Sequence, residues 1–191
     1  MTREDYQALV RPFLSDRRYQ HSVCVAEMAE QLAHKYGGNP EKAWTAGMLH
    51  DILKEQPPQE QLKSMDEFGI ILTEEERGAQ KLWHAMLGAA YLERRQGISD
   101  PEILDAIRYH TTGRADMALL DKILFVADFI SADRSFDGVE ELRQAADRSL
   151  DEAARLGLSM TIADLAQQQR AIHPDTIAAY NWCVLRTEAP N

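Results

Sequence analysis

The chain has 191 residues, 45% of them hydrophobic and 27% charged, which is the composition of an ordinary globular domain with enough apolar side chains for a core. Its 31 acidic residues exceed its 21 lysines and arginines, and the formal net charge of -10 argues against nucleic acids and anionic membranes as partners. The two cysteines, Cys24 and Cys183, form no CxxC pair, which excludes a disulfide framework and indicates a reducing compartment.

Signals for export or membrane insertion are missing from the sequence. The N-terminal residues contain no apolar segment typical of a signal peptide, and no run approaches the roughly 20 apolar residues that span a bilayer. We therefore expect a cytoplasmic protein that contacts no membrane. Any anionic ligand of so acidic a chain must be held by a local group of cations or by a metal ion.

Helix caps and apolar residues at helical spacing recur along the whole chain, whereas no segment shows the alternation of a strand. Thr2 with Asp5 forms a weak capping box, Gly37 ends the second helix, and Asn39 before Pro40 begins the third. In chain order we predict a first short helix after Thr2, helices at about 17–36, 40–55 and 58–68, one that begins at Thr73, helices at about 81–96, 99–112 and 117–132, one of about a dozen residues after Gly138, and two at about 150–171 and 174–185.

These elements predict an all-α fold, an irregular bundle of about eight to ten helices. The chain is expected to form a single domain over residues 1–191, with its core at about 17–135 and a C-terminal helical extension at about 138–191. No internal repeat or low-complexity segment interrupts it.

Several ionisable side chains fall on otherwise apolar helix faces. His21 shares a face with Val25 and Met28, and Asp128 lies between apolar residues on both sides. The complete set in chain order is His21, His50, Asp51, His84, His110 and Asp128. Burying such groups costs several kcal/mol each unless they are paired or bound to metal, so one shared metal ion would satisfy them together.

Each of these residues has another explanation when taken alone. His50 can be a core histidine bonded to a backbone carbonyl, and Asp128 can cap a helix or pair with Arg134. His84 and His110 can serve core packing as well as function. The imidazole and carboxylate donors, without a thiolate, suit Fe, Mn or Zn if the groups do converge on a metal.

Two cations near this set are candidates for binding phosphate. Lys54 is expected one turn after His50 on the same helix face, and its alternative is a solvated lysine at a helix end. Arg134 can bind two phosphate oxygens with its guanidinium, and its alternative is a loop arginine paired with Asp133 or Asp137.

Six segments together resemble the HD superfamily of metal-dependent phosphohydrolases, and more narrowly its YqeK-like group of symmetrical diadenosine tetraphosphate hydrolases. They are RYQHS at 18–22, KAWTAGMLHD at 42–51, HAMLGA at 84–89, AIRYHTTG at 106–113, LDKILFVAD at 120–128 and IHP at 172–174. The resemblance covers residues 17–181 and implies an HD-type helical bundle.

The resemblance also implies roles for individual residues. The implied metal ligands are His21, His50, Asp51 and Asp128, and the implied metal is iron, with Mn or Zn as alternatives. The residues implied to hold phosphates are Lys54, His84, His110, Thr111 and Arg134, while Ala171, Ile172 and His173 lie beside the nucleoside. The ligands His21 and Asp128 border the substrate as well. His84 and His110 could instead hold a second ion.

The loop after Asp128 departs from the pattern of the family. A Glu-Pro pair and a later Phe-Pro-Gly are expected there, but this chain has Ser131-Ala132 and Phe136-Asp137-Gly138. The missing prolines predict a more flexible loop, although Arg134 is retained.

The implied reaction is symmetrical hydrolysis of diadenosine tetraphosphate to two ADP, with Asp51, Lys54 and His84 as catalytic residues. Asp51 is expected to orient the water, and His84 and His110, when protonated, to stabilise the departing ADP. Two alternatives remain: another HD phosphohydrolase acting on deoxynucleotides, (p)ppGpp or cyclic nucleotides, or a nucleotide-binding module without turnover. A homodimer is compatible with the sequence.

Overall fold

A computed structural model describes residues 1–187, and every regular element among them is a helix. Eleven α-helices occur in this part of the chain, as many as the predicted segments and one more than the estimate of eight to ten for the bundle. They are α1 (Arg3–Val10), α2 (Asp16–Tyr36), α3 (Pro40–Leu49), α4 (Pro58–Glu67), α5 (Glu74–Gly78), α6 (Trp83–Gln96), α7 (Pro101–Tyr109), α8 (Leu119–Ile130), α9 (Val139–Arg148), α10 (Leu150–Gln167) and α11 (Pro174–Thr187). Short 3₁₀ turns at Arg11–Phe13 and Gln80–Leu82 precede α2 and α6.

The predicted caps are confirmed at the start of α1, the end of α2 and the start of α3. Thr2 and Asp5 form the expected capping box, and the Asn39 side chain accepts hydrogen bonds from two backbone N–H groups at the start of α3. Gly37 ends α2 with a φ of 74°, in the left-handed region that glycine adopts most easily. The all-α prediction is confirmed.

The apolar helix α8 lies at the centre of the bundle. It packs against α2, α3 and α7 on one side and against α9 and α10 on the other, while α11 packs on α10. Its side chains Ile123, Leu124 and Phe125 are buried, so this helix holds Asp128 within the main core. No helix within residues 1–187 is both long enough and apolar enough to cross a membrane.

The third helix is shorter than predicted, because α3 ends at Leu49 and not near residue 55. The following residues form tight turns, with hydrogen bonds from the Ile52 N–H to the Leu49 carbonyl (3.1 Å) and from the Lys54 N–H to the Asp51 carbonyl (2.8 Å). His50 and Asp51 therefore lie in the turns that follow the helix. The prediction that Lys54 continues the helix one turn beyond His50 is wrong.

Two other expectations also fail locally. The helix predicted at 150–171 ends at Gln167, because Gln169 adopts a left-handed φ of 55°. An acidic run such as the one at 74–76 is typical of a solvated helix face, but Glu76 is buried, and its side chain accepts a hydrogen bond from the Thr73 N–H. Of the predicted C-terminal extension, residues 188–191 lie outside the described residues, and the division into core and extension stays a prediction.

Candidate metal centre and active site

Six ionisable side chains from five parts of the chain converge inside the bundle. His21 lies in α2, His50 and Asp51 follow α3, His84 is in the first turn of α6, His110 follows α7 and Asp128 lies in α8. All are buried except Asp128, which is partly buried. The cluster therefore depends on the packing of α2, α3, α6, α7 and α8 and not on any local segment.

The two histidines at helix ends have the same orientation. The Nδ1 of His50 lies 2.7 Å from the Gly47 carbonyl, and the Nδ1 of His110 lies 2.7 Å from the Ile107 carbonyl. Because a carbonyl only accepts hydrogen bonds, the hydrogen-bond network assigns a proton to Nδ1 in both rings. The Nε2 atom of each ring is thereby directed into the cluster.

The Nε2 of His50 is buried and has no hydrogen-bond partner. It lies 3.5 Å from the Asp51 Oδ2 and 3.9 Å from the Asp128 Oδ1, and the Nε2 of His21 lies 3.0 Å from that same Asp128 oxygen. Two ligands of one ion can be at most about 4.4 Å apart, twice a bond length of about 2.2 Å. These nitrogens and oxygens therefore have the spacing and chemistry to hold a divalent cation.

Asp51 faces donors on two sides. Its Oδ2 is near His50, and its Oδ1 lies 3.0 Å from the Nε2 of His84 and 3.8 Å from the Nε2 of His110. Three overlapping groups are compact enough to hold an ion, namely His21 with His50 and Asp51, His50 with His110 and Asp128, and Asp51 with His84 and His110. Asp51 belongs to two of these groups and could contribute a ligand to each.

The electrostatics of the cluster favour a positive charge between the carboxylates. Burial alone lowers the pKa of His50, but the carboxylates of Asp51 and Asp128 outweigh it and raise the pKa above its ordinary value. Burial alone raises the pKa of Asp51, but the His50 and His84 imidazoles hold that pKa well below its usual range. The negative potential that raises the pKa of His50 would equally attract a metal cation placed between its Nε2 and the carboxylates of Asp51 and Asp128.

The other two imidazoles behave differently. Burial lowers the pKa of His84, and burial together with the nearby His50 and His84 lowers the pKa of His110 to about 3. These lowered pKa values favour the neutral form of both rings, whereas the sequence predicts that they act as protonated groups. Neutral imidazoles are suited to binding metal or to accepting a hydrogen bond.

Lys54 and Arg134 contact different members of the cluster. The Lys54 Nζ lies 3.3 Å from the Nε2 of His84, and burial lowers the pKa of this lysine. Arg134 donates from Nε to the Asp128 carbonyl (2.7 Å), and its NH2 group forms an ion pair with the Asp128 carboxylate. Arg134 thus forms its ion pair with Asp128, and among the described residues neither Asp133 nor Asp137 is close enough to form one with it.

A cavity of about 580 Å³ opens beside the cluster. Five residues that the sequence assigned to substrate line it: Thr111, Asp128, Arg134, Ala171 and His173. Apolar side chains such as Phe129 and Leu165 form part of its wall. Ile172, Lys54, His84 and His110 are not among its lining residues, so the last three lie on the side of the metal-binding cluster.

Some polar residues at the site were not identified from the sequence. Arg18 donates from NH1 to the Asp51 Oδ2 (2.9 Å), and Asp133 lies 2.8 Å from the Nδ1 of His21. The wall of the cavity carries the positive charges of Lys81 and Arg170 and the negative charges of Asp137 and Asp164. Arg18 belongs to a segment that carried the family resemblance, but sequence spacing gave no reason to pair it with a residue 33 positions away.

Comparison with known proteins agrees with this architecture. Residues 18–133 match the HD domain family. The chain is 38% identical over 186 residues to "Bis(5'-nucleosyl)-tetraphosphatase, symmetrical" of Bacillus subtilis (strain 168), with 96% of this chain and 98% of that protein covered. The protein of the same name from Halalkalibacterium halodurans is 39% identical over 189 residues, with 97% and 98% covered.

A solved structure has the same fold over nearly the whole chain. It is described as a predicted HD superfamily hydrolase involved in NAD metabolism from Clostridium acetobutylicum, and it matches with a TM-score of 0.93 and 34% sequence identity. The match covers 97% of this chain and 98% of the other. The chain therefore belongs to the HD domain family, together with the symmetrical bis(5'-nucleosyl)-tetraphosphatases of that family.

Proposed function

We propose that this protein hydrolyses diadenosine tetraphosphate and related dinucleoside polyphosphates symmetrically, releasing two ADP, with a bound divalent metal ion. The observation that carries the proposal is the buried, unpartnered Nε2 of His50, which faces two carboxylates beside a cavity lined by Arg134 and His173. The near full-length similarity to symmetrical tetraphosphatases supports the choice of substrate.

His21, His50, Asp51 and Asp128 are the proposed metal ligands. The distances between their nitrogen and oxygen atoms and the orientation of the His50 ring support this assignment. When bound, the ion supplies a Lewis acid that polarises a phosphoryl oxygen and lowers the pKa of a water molecule. Iron is the proposed metal, with Mn or Zn as alternatives, because the donor set has no thiolate. A second ion would use His84 and His110 with Asp51.

The substrate is proposed to extend from the cluster into the cavity. Lys54, His84, His110, Thr111 and Arg134 would hold phosphate oxygens, and Ala171, Ile172 and His173 would contact a nucleoside. Arg134 is suited to this role because Asp128 uses only its Nε and NH2 groups. The apolar walls near Phe129 and Leu165 can accept a base, so a polar and an apolar part of one ligand each find a matching surface.

The reaction breaks one phosphoanhydride bond. The oxygen of a water molecule bonds to one β-phosphorus, and the bond from that phosphorus to the oxygen that joins it to the second β-phosphorus breaks. One ADP receives the water oxygen, and the other keeps the bridging oxygen. Asp51 is proposed to orient the water, while Lys54 and Arg134 neutralise charge that builds up on phosphate oxygens.

The test is hydrolysis by the metal-loaded protein in ¹⁸O-water, with a panel of nucleotides. We expect diadenosine tetraphosphate to give ADP alone, with ¹⁸O in the β-phosphate of one ADP of each pair. Formation of ATP with AMP would contradict symmetrical cleavage. Preferred turnover of a deoxynucleotide, (p)ppGpp or a cyclic nucleotide would favour another HD phosphohydrolase, and binding without turnover would favour a nucleotide-binding module.

Location and assembly remain proposals. We place the protein in the cytoplasm, because its two cysteines lack the spacing of a disulfide framework. Its acidic charge of -10 supports the prediction that nucleic acid and membranes are not partners. Formation of a homodimer stays a prediction that sedimentation would test.

A further inference from the structure

His21 differs from His50 and His110 in how its outer nitrogen is bonded. His50 and His110 follow helix ends, and each uses a backbone carbonyl three residues back. His21 lies inside α2, where the carbonyls of the preceding turn are engaged in helix hydrogen bonds. Its Nδ1 instead lies 2.8 Å from the Oδ2 of Asp133, a residue 112 positions away.

Asp133 is itself held in place by the loop after α8. The hydroxyl of Ser131 donates to the Asp133 Oδ1 at 2.8 Å, and Ser131 is fully buried. Each carboxylate oxygen of Asp133 therefore has its own donor, since Oδ2 faces the imidazole. The side chain of Asp133 is about one-third exposed, so it stands at the outer edge of the cluster and behind His21.

Arg143 of α9 fastens the same loop to the bundle. It donates from Nε to the Ile130 carbonyl (3.2 Å) and from NH2 to the carbonyls of Ser131 (3.1 Å) and Arg134 (3.1 Å). The loop was expected to be flexible because it lacks prolines. These three hydrogen bonds restrain it by another means and so limit the movement of Asp133.

We infer that Asp133 is a positioning residue that keeps the proton of His21 on Nδ1 and directs Nε2 towards Asp128 and the metal centre, with Ser131 holding Asp133 in position. The inference rests on the proposed function in one respect, which is that His21 is a metal ligand. A histidine that binds metal through one nitrogen commonly donates from the other to a carboxylate, which fixes both the tautomer and the direction of the ring. Asp133 does not need to touch the metal or the substrate.

The test measures Mn²⁺ affinity of the metal-free full-length protein by competition with a chelator. Asp133→Ala is expected to weaken Mn²⁺ binding by about 10- to 100-fold, the usual effect of losing such a partner. Asp133→Asn keeps an oxygen that accepts from Nδ1 and is expected to retain most of the affinity. Ser131→Ala is expected to lie between wild type and Asp133→Ala.

Asp147→Ala is the matched control, because it removes the same charge from an exposed residue that pairs with Lys35. Its Mn²⁺ affinity is expected to equal that of wild type. A second measurement, ¹⁵N NMR of the Zn²⁺-loaded protein, should show a protected Nδ1–H signal of His21 that Asp133→Ala loses. A purely structural role for Asp133 would leave the Asn variant as impaired as the Ala variant.

The inference is overturned if Asp133→Ala binds Mn²⁺ within twofold of wild type, or if Asp147→Ala loses as much affinity. This outcome is separate from the failure of the proposed substrate. A wild-type protein that binds Mn²⁺ but leaves diadenosine tetraphosphate intact would refute the substrate and still allow the Asp133 variants to be judged by metal affinity.

Discussion

Gly47 of α3 lies against the backbone of Ala26 in α2. A Cβ atom added at Gly47 would be 2.6 Å from the Ala26 Cα and 2.8 Å from the Ala26 nitrogen, which is closer than atoms can pack. The contact brings α3 close to the helix that contains His21, and His50 follows Gly47 by less than one turn. The absence of a side chain at position 47 therefore allows the close approach of α2 and α3 that sets the distance between the proposed metal ligands His21 and His50.

Replacing Gly47 by alanine should destabilise the protein. Gly47→Ala is expected to cost about 3 kcal/mol, at the upper end of ordinary overpacking. The atoms that the new Cβ would meet belong to the backbone of α2, so no side chain can rotate to make room. Thermal unfolding followed by circular dichroism measures the loss. Gly88→Ala is the control, because its Cβ would meet only the Ile52 Cγ2 at 3.6 Å, and we expect a gain of about 0.5 kcal/mol. Equal stability of the two variants would contradict the packing argument.

Removing the Asp51 carboxylate should empty the metal centre. Asp51→Ala is expected to abolish both metal retention and turnover, since this residue faces His50 through one oxygen and His84 and His110 through the other. Metal analysis of the purified variant and a hydrolysis assay provide the two readouts. Asp66→Ala, which removes an exposed acid of α4, should behave as wild type. A folded Asp51→Ala protein with full activity would show that the centre is assigned wrongly.

Lys54 is expected to contribute to catalysis and not to folding. Burial lowers its pKa, so the fold gains little from this amine, whereas a phosphate beside it would favour the charged form. Lys54→Ala should lower kcat by about 10²- to 10³-fold, in the range for loss of one group that stabilises developing charge. Steady-state kinetics and thermal unfolding test both parts. Lys63→Ala on the exposed side of α4 is the control. A Lys54→Ala protein that loses stability but keeps its kcat would show that Lys54 serves folding and not catalysis.

Arg3 links α1 to helices α2 and α3. Its guanidinium pairs with Glu30 of α2 and Glu41 of α3, both at 2.6 Å, and lies over the Trp44 ring. The hydrogen bond from Arg3 lowers the pKa of Glu30 below 4.5. Because this pKa is depressed in the folded state, the stabilisation is fully present above about pH 4.5 and is lost as the pH falls through the folded-state pKa.

Arg3→Met, which keeps the apolar stem, should therefore lower the free energy of unfolding by about 1 kcal/mol at pH 7 and by much less in acid. Urea unfolding at a series of pH values gives the profile. Arg17→Met, at an exposed position, should change stability by less than about 0.5 kcal/mol at every pH. A pH-independent loss for the Arg3 variant would show that packing, and not the ion pairs, is responsible.

Local signals in the sequence were sufficient to predict the helices and the types of residue at the site. Caps such as Asn39 and Gly37 act within a few residues of themselves, so they could be identified without a tertiary structure. The same is true of a histidine or an aspartate on an apolar helix face, because its burial follows from the neighbours on that face. The set of six ionisable residues was therefore identifiable from spacing and desolvation cost.

Contacts between distant segments could be decided only by the tertiary structure. The end of α3 at Leu49 depends on tight turns that place both His50 and Asp51 in the cluster, a geometry that helical periodicity alone does not predict. The pairing of His21 with Asp133 joins residues 112 positions apart, and no local pattern encodes it. Which polar groups meet is determined by how the helices pack, because each buried group must find a partner among whatever the fold brings within reach.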